Sequence, residues 1–328
     1  NAGYVIAKSQ IPVNTSGFVF EELANKASGH PEILAPRIKE PDVNRVIVEG
    51  ENFNIEFSKV DGFLCRYDVN GISMLEKGTS LIPNFWRAGT DNDYGARLNL
   101  KYKVWKNPVM KLKGINSRVE NSMVYVDAEY QMPEVFSILK LSYVINNEGD
   151  IQVTQKLLTE KGKKVPNMFR YGMRMRMPKE MYYSHFYGRG PVENYIDRNH
   201  NSFVGIYKMT TQEQFYPYIR PQENGCKTDI RWWNQTNKGG IGLNFVASKP
   251  FSMVALNYTI ESLDDGDLKD QRHSGQVEPA DFIEVCIDYA QQGLGGENSW
   301  GSTCLPQYRL TYKDYEFTYQ IKPLDTVY

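Results

Sequence analysis

Phe169-Arg170-Tyr171-Gly172-Met173-Arg174-Met175-Arg176-Met177 alternates at a period of two, apolar on one face and basic on the other. An extended chain sends successive side chains to opposite faces, so this stretch reads as a strand. The same alternation runs outward through Met123–Tyr130 and Ile151–Leu157. Ile138–Ile145, Ile241–Val246, Met253–Thr259, Phe282–Tyr289, Tyr308–Tyr312 and Phe317–Ile321 continue the strand pattern. Turn-forming clusters separate the runs: Asn147-Glu148-Gly149-Asp150, Asn237-Lys238-Gly239-Gly240 and Asp264-Asp265-Gly266-Asp267. From Val43 onward no long amphipathic helix interrupts them. So many strands without βα alternation predict antiparallel sheets packed face to face, an all-β fold built as one large antiparallel β-sandwich.

The chain has 328 residues, enough for one large domain or two ordinary ones. Its hydrophobic fraction of 41% and charged fraction of 23% are those of a globular protein. With a net charge of −1, no electrostatic pull draws it toward nucleic acid or an anionic membrane. No apolar run approaches 18 residues, which argues against a helical membrane span. The 22 tyrosines and 5 tryptophans suit a β-rich protein and a sugar-binding one equally. Cys65, Cys226, Cys286 and Cys304 are scattered without metal-ligand spacing, and Cys65 and Cys286 read as buried free thiols. Residues 14–42 are proline-rich with little periodicity and read as a linker, with a short helix over Phe18–Ala27. Gly3–Val13 reads as one strand without a neighbour to pair with. Asn1-Ala2 reads as the scar of a cleaved tag, and the whole as an excised piece of a longer protein, its compartment left open.

Four loop-like segments carry rarer residues. They are Phe85-Trp86-Arg87-Ala88-Gly89-Thr90-Asp91-Asn92-Asp93-Tyr94-Gly95, Tyr187-Gly188-Arg189-Gly190-Pro191-Val192-Glu193-Asn194-Tyr195, Pro217-Tyr218-Ile219-Arg220-Pro221-Gln222-Glu223-Asn224-Gly225 and Gly293-Leu294-Gly295-Gly296-Glu297-Asn298-Ser299-Trp300-Gly301. In this order and spacing they resemble the C-terminal domain of the family 2 glycoside hydrolases, specifically the β-galactosidases. The resemblance runs from about Val43 to the end of the chain. It implies an oversized sandwich similar to galactose mutarotase over 43–328, the linker over 14–42, and over 1–13 the last strand of a preceding immunoglobulin-like domain. It also implies a parent that hydrolyses terminal β-galactosides with retention. The parent's two catalytic carboxylates would sit on a separate barrel domain, since this chain has no barrel's strand–helix alternation.

On that resemblance, no catalytic residue lies in this chain and it is inactive alone, though Glu193 and Glu223 are the carboxylates a retaining pair would need. Trp300 would reach the active-site mouth and meet the sugar, where an indole face packs against C–H bonds and the preceding glycines let the loop approach. The competing reading is a tryptophan packed between sheets. Asp93 and Gly95 are further candidates for substrate contact, Gly95 as a loop hinge. Asp91 and Asn92 suit turn stabilisation, and Arg87, Arg189, Glu193, Asn194, Glu223 and Asn224 suit a scaffold, with Arg189 and Glu193 as a buried pair. Asp264, Asp265 and Asp267 lack a calcium loop's ligand series and read as a solvated turn. His185 matters because a mutarotase uses a histidine acid with a carboxylate base.

The resemblance places any divalent or sodium ion of the parent in other domains, with no metal or cofactor in this chain. The expected partners are the upstream barrel of the same polypeptide and a galactoside, with a homo-oligomeric parent left open. A free-standing carbohydrate-binding module, an aldose 1-epimerase-like enzyme and a purely structural domain remain as alternatives.

Overall fold

The computed structural model describes residues 8–11, 20–23, 34–40, 42–298 and 300–324. The strand expected over 3–13 and the helix expected over 18–27 lie mostly outside them.

Among the described residues the strands form two antiparallel sheets. In the smaller, β1 (Arg37–Lys39), β2 (Arg45–Glu49), β3 (Phe53–Ser58), β4 (Leu64–Val69) and β5 (Ile72–Ser73) pair in sequence order. β1 falls inside the stretch read as linker, yet it pairs with β2 from Arg37↔Glu49 to Lys39↔Ile47. The larger sheet holds twelve strands: β6 (Ile82–Asn84), β7 (Lys111–Glu120), β8 (Met123–Met132), β9 (Ser137–Ile145), β10 (Ile151–Thr159), β11 (Arg170–Pro178), β12 (Tyr183–Gly190), β13 (Phe203–Thr210), β14 (Lys227–Thr236), β15 (Gly242–Leu256), β16 (Phe282–Gln291) and β17 (Tyr315–Leu324). Its main path is β13-β12-β14-β15-β17-β10-β9-β8-β7, and a branch runs β15-β16-β11-β6.

The branch has a physical cause in β15. Its first half, Gly242–Ala247, pairs with β17, and its second half, Ser252–Leu256, pairs with β16. Between them Ser248, Lys249 and Pro250 are exposed, and a proline there removes a donor the ladder no longer needs. A twisted sheet of this many strands splits rather than staying open. The two separate strands expected over 241–246 and 253–259 are therefore one bent strand. Tyr308–Tyr312 is not a strand: Pro306–Tyr308 is a short 3-10 turn, and Leu310 makes only an isolated bridge with Met168.

One main core fills the space between the layers. β3 buries Phe53, Ile55 and Phe57, and β9 buries Leu139, Leu141, Tyr143 and Ile145, each on alternate positions. The Phe57 and Tyr143 rings meet edge-on at 4.8 Å, and the Tyr67 hydroxyl donates to the Gly149 carbonyl at 2.7 Å, tying the small sheet to the large one. The apolar face of β11 sends Tyr171, Met173, Met175 and Met177 into this core. Its basic face is covered as well. Arg170 is buried, and Arg174 and Arg176 pair with the buried Glu284. All four cysteines are free thiols, three buried and Cys65 half-buried. In the stretch read as linker, the Leu23 side chain is buried, its N–H donates to Gln152 Oε1 at 2.9 Å, and Gln320 Nε2 donates to the Glu21 carbonyl at 2.7 Å.

Candidate functional site

The four motifs lie at the connections between strands, β6 to β7, β12 to β13, β13 to β14 and β16 to β17, the second starting in the last residues of β12, Tyr187–Gly190. Hydrogen bonds and ion pairs bring them together. The first ends in a helical turn, α1 (Asp91–Gly95), capped by Thr90: the Thr90 Oγ1 accepts the Asp93 N–H, and Asp93 Oδ2 accepts the Thr90 N–H at 3.0 Å. Asp93 also holds Arg87 in a two-pronged pair, Nε to Oδ2 at 3.0 Å and Nη2 to Oδ1 at 2.8 Å. Both side chains are out of water, at 0% exposure for Arg87 and 1% for Asp93. So fixed, Arg87 donates to the Gln292 carbonyl at 2.6 Å and the Gly293 carbonyl at 3.3 Å. Asn92 donates to the Leu294 carbonyl at 3.4 Å.

From the other side, the Asp197 carboxylate accepts the Leu294 N–H at 3.0 Å and the Gly295 N–H at 2.9 Å. A Cβ on Gly293 would lie 2.5 Å from Asp197 Oδ2, so only glycine fits this approach. From the clamped Gly295 onward the loop carries positive φ at Gly295 (75°), Gly296 (130°) and Gly301 (114°). Trp300 stands at the end of it with 92% of its surface exposed, its N–H donating to Asn298 Oδ1 at 2.9 Å. It does not pack between the sheets.

The remaining residues brace this end. The pair expected between Arg189 and Glu193 is not formed. Arg189 pairs with Asp229 and donates to the Ser202 carbonyl at 2.9 Å, because β12 lies beside β14 in the sheet. Glu193 instead accepts from Arg198 at 2.7 Å, from the Tyr218 hydroxyl and from the Gly225 N–H at 2.9 Å. Asn194 donates to the Arg189 and Val192 carbonyls and accepts the Thr228 N–H. Asn224 pairs with both backbone groups of Tyr216. Glu223 is buried beneath Arg170 (3.3 Å) and Gln291 (2.9 Å).

Asp93, with both oxygens engaged and no exposed surface to speak of, has none to offer a sugar. Gly95 is the last residue of α1 rather than a free hinge, and the left-handed residue after it is Arg97 (φ 57°). Asp91 pairs with Lys269 at 2.7 Å. Asp264 and Asp265 are not solvated. Asp264 takes the Trp86 indole N–H and Lys106, both at 2.8 Å, and Asp265 pairs with Arg220 (2.6 Å) and Arg272 (2.7 Å). Asp267 pairs with Lys103 at the surface. His185 faces Trp232 at 5.0 Å and pairs across the sheet with Lys208 and Asn234; burial, then Lys208, lowers its pKa.

Sequence reasoning missed Asp197, Arg170 and Asp288. Arg170 lies between Glu223 and Asp288, 3.1 Å from the latter. Burial chiefly, with Glu223 adding and Arg170 opposing, lifts the Asp288 carboxyl to about 7. Among the described residues no group of three or more His, Cys, Asp or Glu is arranged to hold a metal ion. The chemistry of this end is positional: ion pairs and backbone hydrogen bonds hold a loop that presents one indole.

Residues 49–321 match the family described as beta galactosidase small chain. The chain belongs to that family. Relatives of this small chain include β-galactosidases from Priestia megaterium (29% identical, 99% of this chain) and Lactobacillus delbrueckii subsp. bulgaricus (31% identical, 92% of this chain). The small chain spans about 30% of the length of each. Among solved structures, a galactose mutarotase-related enzyme from Lactobacillus acidophilus covers 86% of the small chain and 98% of itself, at 8% identity and a TM-score of 0.48. A galactose 1-epimerase from Lactobacillus acidophilus NCFM covers 88% and 98%, at 9% identity and a TM-score of 0.47.

Proposed function

We propose that this chain is the C-terminal part of a family 2 β-galactosidase that hydrolyses terminal β-galactosides with retention. The catalytic carboxylates belong to an upstream barrel of the same polypeptide, and any ions the enzyme needs are bound there or in other domains. This chain walls the mouth of the active site and supplies Trp300 as an apolar platform for the sugar. It is inert as a hydrolase alone.

The observation that carries this reading is Trp300 itself. A tryptophan 92% exposed on a loop clamped by Arg87, Asn92 and Asp197 contributes nothing to the fold's own core. A large apolar ring standing in water suits a ligand that the rest of the enzyme brings to it. The test is hydrolysis of a chromogenic β-galactoside by this chain alone and after mixing with the upstream portion. Activity is expected only in the mixture, and Trp300→Ala should lower its kcat/KM about tenfold, a stacking contact's worth. Turnover by the chain alone would overturn the reading and turn suspicion to Glu193 and Glu223. Unaltered kinetics in Trp300→Ala would leave a purely structural domain.

A further inference from the structure

Two outward positions of the large sheet are buried against something other than the core. Val153 and Leu157 of β10 and Phe317 and Tyr319 of β17 fill the core, so Gln152 and Gln320 point to the opposite, outer face. The two glutamines stand opposite each other in the register, yet only 6% and 2% of their surface is exposed. The N-terminal segment lies against them. Gln152 Oε1 accepts the Leu23 N–H at 2.9 Å, and Gln320 Nε2 donates to the Glu21 carbonyl at 2.7 Å. Gln320 also donates to Gln152 at 3.2 Å, so the two amides act as one clip, and the Leu23 side chain beside it is fully buried.

The same segment touches the sheet a second time, at its edge. Among the described residues β13 pairs only with β12. An edge strand turns the N–H and C=O of alternate residues outward, ready for another group to take. At Val204 one side chain takes both: Gln10 Oε1 accepts the N–H and Gln10 Nε2 donates to the carbonyl, each at 2.8 Å. A carboxamide carries the donor and acceptor of a peptide group, so Gln10 pairs with this edge as a neighbouring strand would. Between the two contacts the outer face is apolar. Ile206, Tyr187, Trp232 and Val246 stand opposite one another across four strands, and Val246 stands opposite Gln320.

We propose that the outer face of the large sheet is a docking surface for the chain's own N-terminal segment, held at Gln10 on the β13 edge and at Glu21–Leu23 over the β10–β17 seam. Residues 12–19 join the two contacts. A chain of that length reaches up to about 30 Å, against roughly 20 Å for the four strand spacings from β13 to β17. The docking has a direction. Val204 follows the connection that carries Asp197 and stands opposite Arg189, so Gln10 is held at the end of the sheet that carries the tryptophan loop. Polypeptide preceding residue 8 therefore leaves at the end where an upstream catalytic domain is needed. That last step rests on the role proposed above, and the docking does not.

The test follows the full 328-residue chain by hydrogen exchange and by cross-linking. The Leu23 amide should exchange about 100-fold or more slowly than in the unfolded chain, and Gln152→Ala should raise its rate about tenfold or more, with β8 and β9 amides unchanged. For the edge contact, Ile11→Cys is combined with Ile206→Cys in a Cys65→Ser background and treated with a short bismaleimide. This pair should join about tenfold faster than Ile11→Cys with Lys140→Cys on β9, and Gln10→Ala should erase most of the difference. A Leu23 amide that exchanges at the unfolded rate, or that ignores Gln152→Ala, would overturn the proposal. Cross-linking no faster than in the β9 pair would overturn it as well, and that measurement alters neither glutamine of the clip. Both readouts are taken without substrate, so their failure leaves the hydrolytic role to its own assay.

Discussion

Asp197→Asn is the most direct probe of how the tryptophan loop is held. The Asp197 carboxylate takes two backbone N–H groups, Leu294 at 3.0 Å and Gly295 at 2.9 Å. A hydrogen bond to a charged group is worth about 1.5–3 kcal/mol. The asparagine keeps the shape but retains only one acceptor oxygen, and its amide NH2 must face a backbone donor. The loop should therefore lose roughly 2–3 kcal/mol of local stability, one such bond plus the weakening of the other. At about 1.4 kcal/mol per decade, local opening should rise about 30- to 140-fold. Hydrogen exchange of a peptide spanning residues 292–298 reads this directly, with β9 and β10 amides as the internal reference. Faster exchange confined to the loop is the expected outcome. Unchanged exchange at Leu294 and Gly295 would mean that the carboxylate does not hold the loop in solution, and the clamp reasoning would fail.

Arg87→Ala should act on the whole fold, because it strands the buried Asp93 carboxylate and frees two loop carbonyls. A loss of about 3–5 kcal/mol is expected from urea unfolding. Lys227 is fully buried with the Gly225 carbonyl at 2.9 Å, and burial lowers its pKa to about 8. The unfolded chain then holds that proton more tightly between pH 8 and 10.5, so the wild type gains stability as pH rises through this window. Lys227→Met should unfold at higher urea than wild type at pH 7, with the advantage shrinking by pH 10. Asp288 has the opposite sign: a carboxyl raised to about 7 contributes stability that is present below pH 4 and is lost as pH rises to 7. Asp288→Asn should therefore gain on wild type between pH 5 and 8 in the same assay, and a constant difference across that range would count against the buried-acid assignment.

The period-two pattern made β8, β10 and β11 legible, because each has one face whose burial the alternation reports directly. It could not show that β11's arginine face is also covered. Of the carboxylates that neutralise it, Glu284 and Asp288 lie far away in the chain on β16, which the branch at β15 sets beside β11, and Glu223 reaches Arg170 from the loop between β13 and β14. That same branch hid the continuity of β15, since a proline at its bend looks like a turn from sequence alone. At the candidate site the residue types were legible and their pairings were not. Arg87 with Asp93 spans six positions and one capped turn. Arg189 with Asp229 depends on β12 lying next to β14, and no local spacing announces that. Asp197 carried no signal at all, being a single acidic residue just past a motif, yet it holds two amides of the loop.

These pairings bear on why so many ions are buried around one loop. A segment with three positive-φ glycines and an exposed indole offers little apolar surface beyond Leu294, which packs against the cluster of Trp86, Phe169 and Tyr195, so hydrophobic burial alone cannot position it. Directional bonds to backbone carbonyls and amides can, and they work best when the donor or acceptor is charged and shielded from water. The cost of burying Arg87 and Asp93 is offset by their mutual pairing and by the loop carbonyls they satisfy. It follows that position and stability are separable here. Trp300 can be removed without touching the fold, whereas Arg87 cannot, and Asp197 should lie between them, governing where the tryptophan sits more than whether the domain folds.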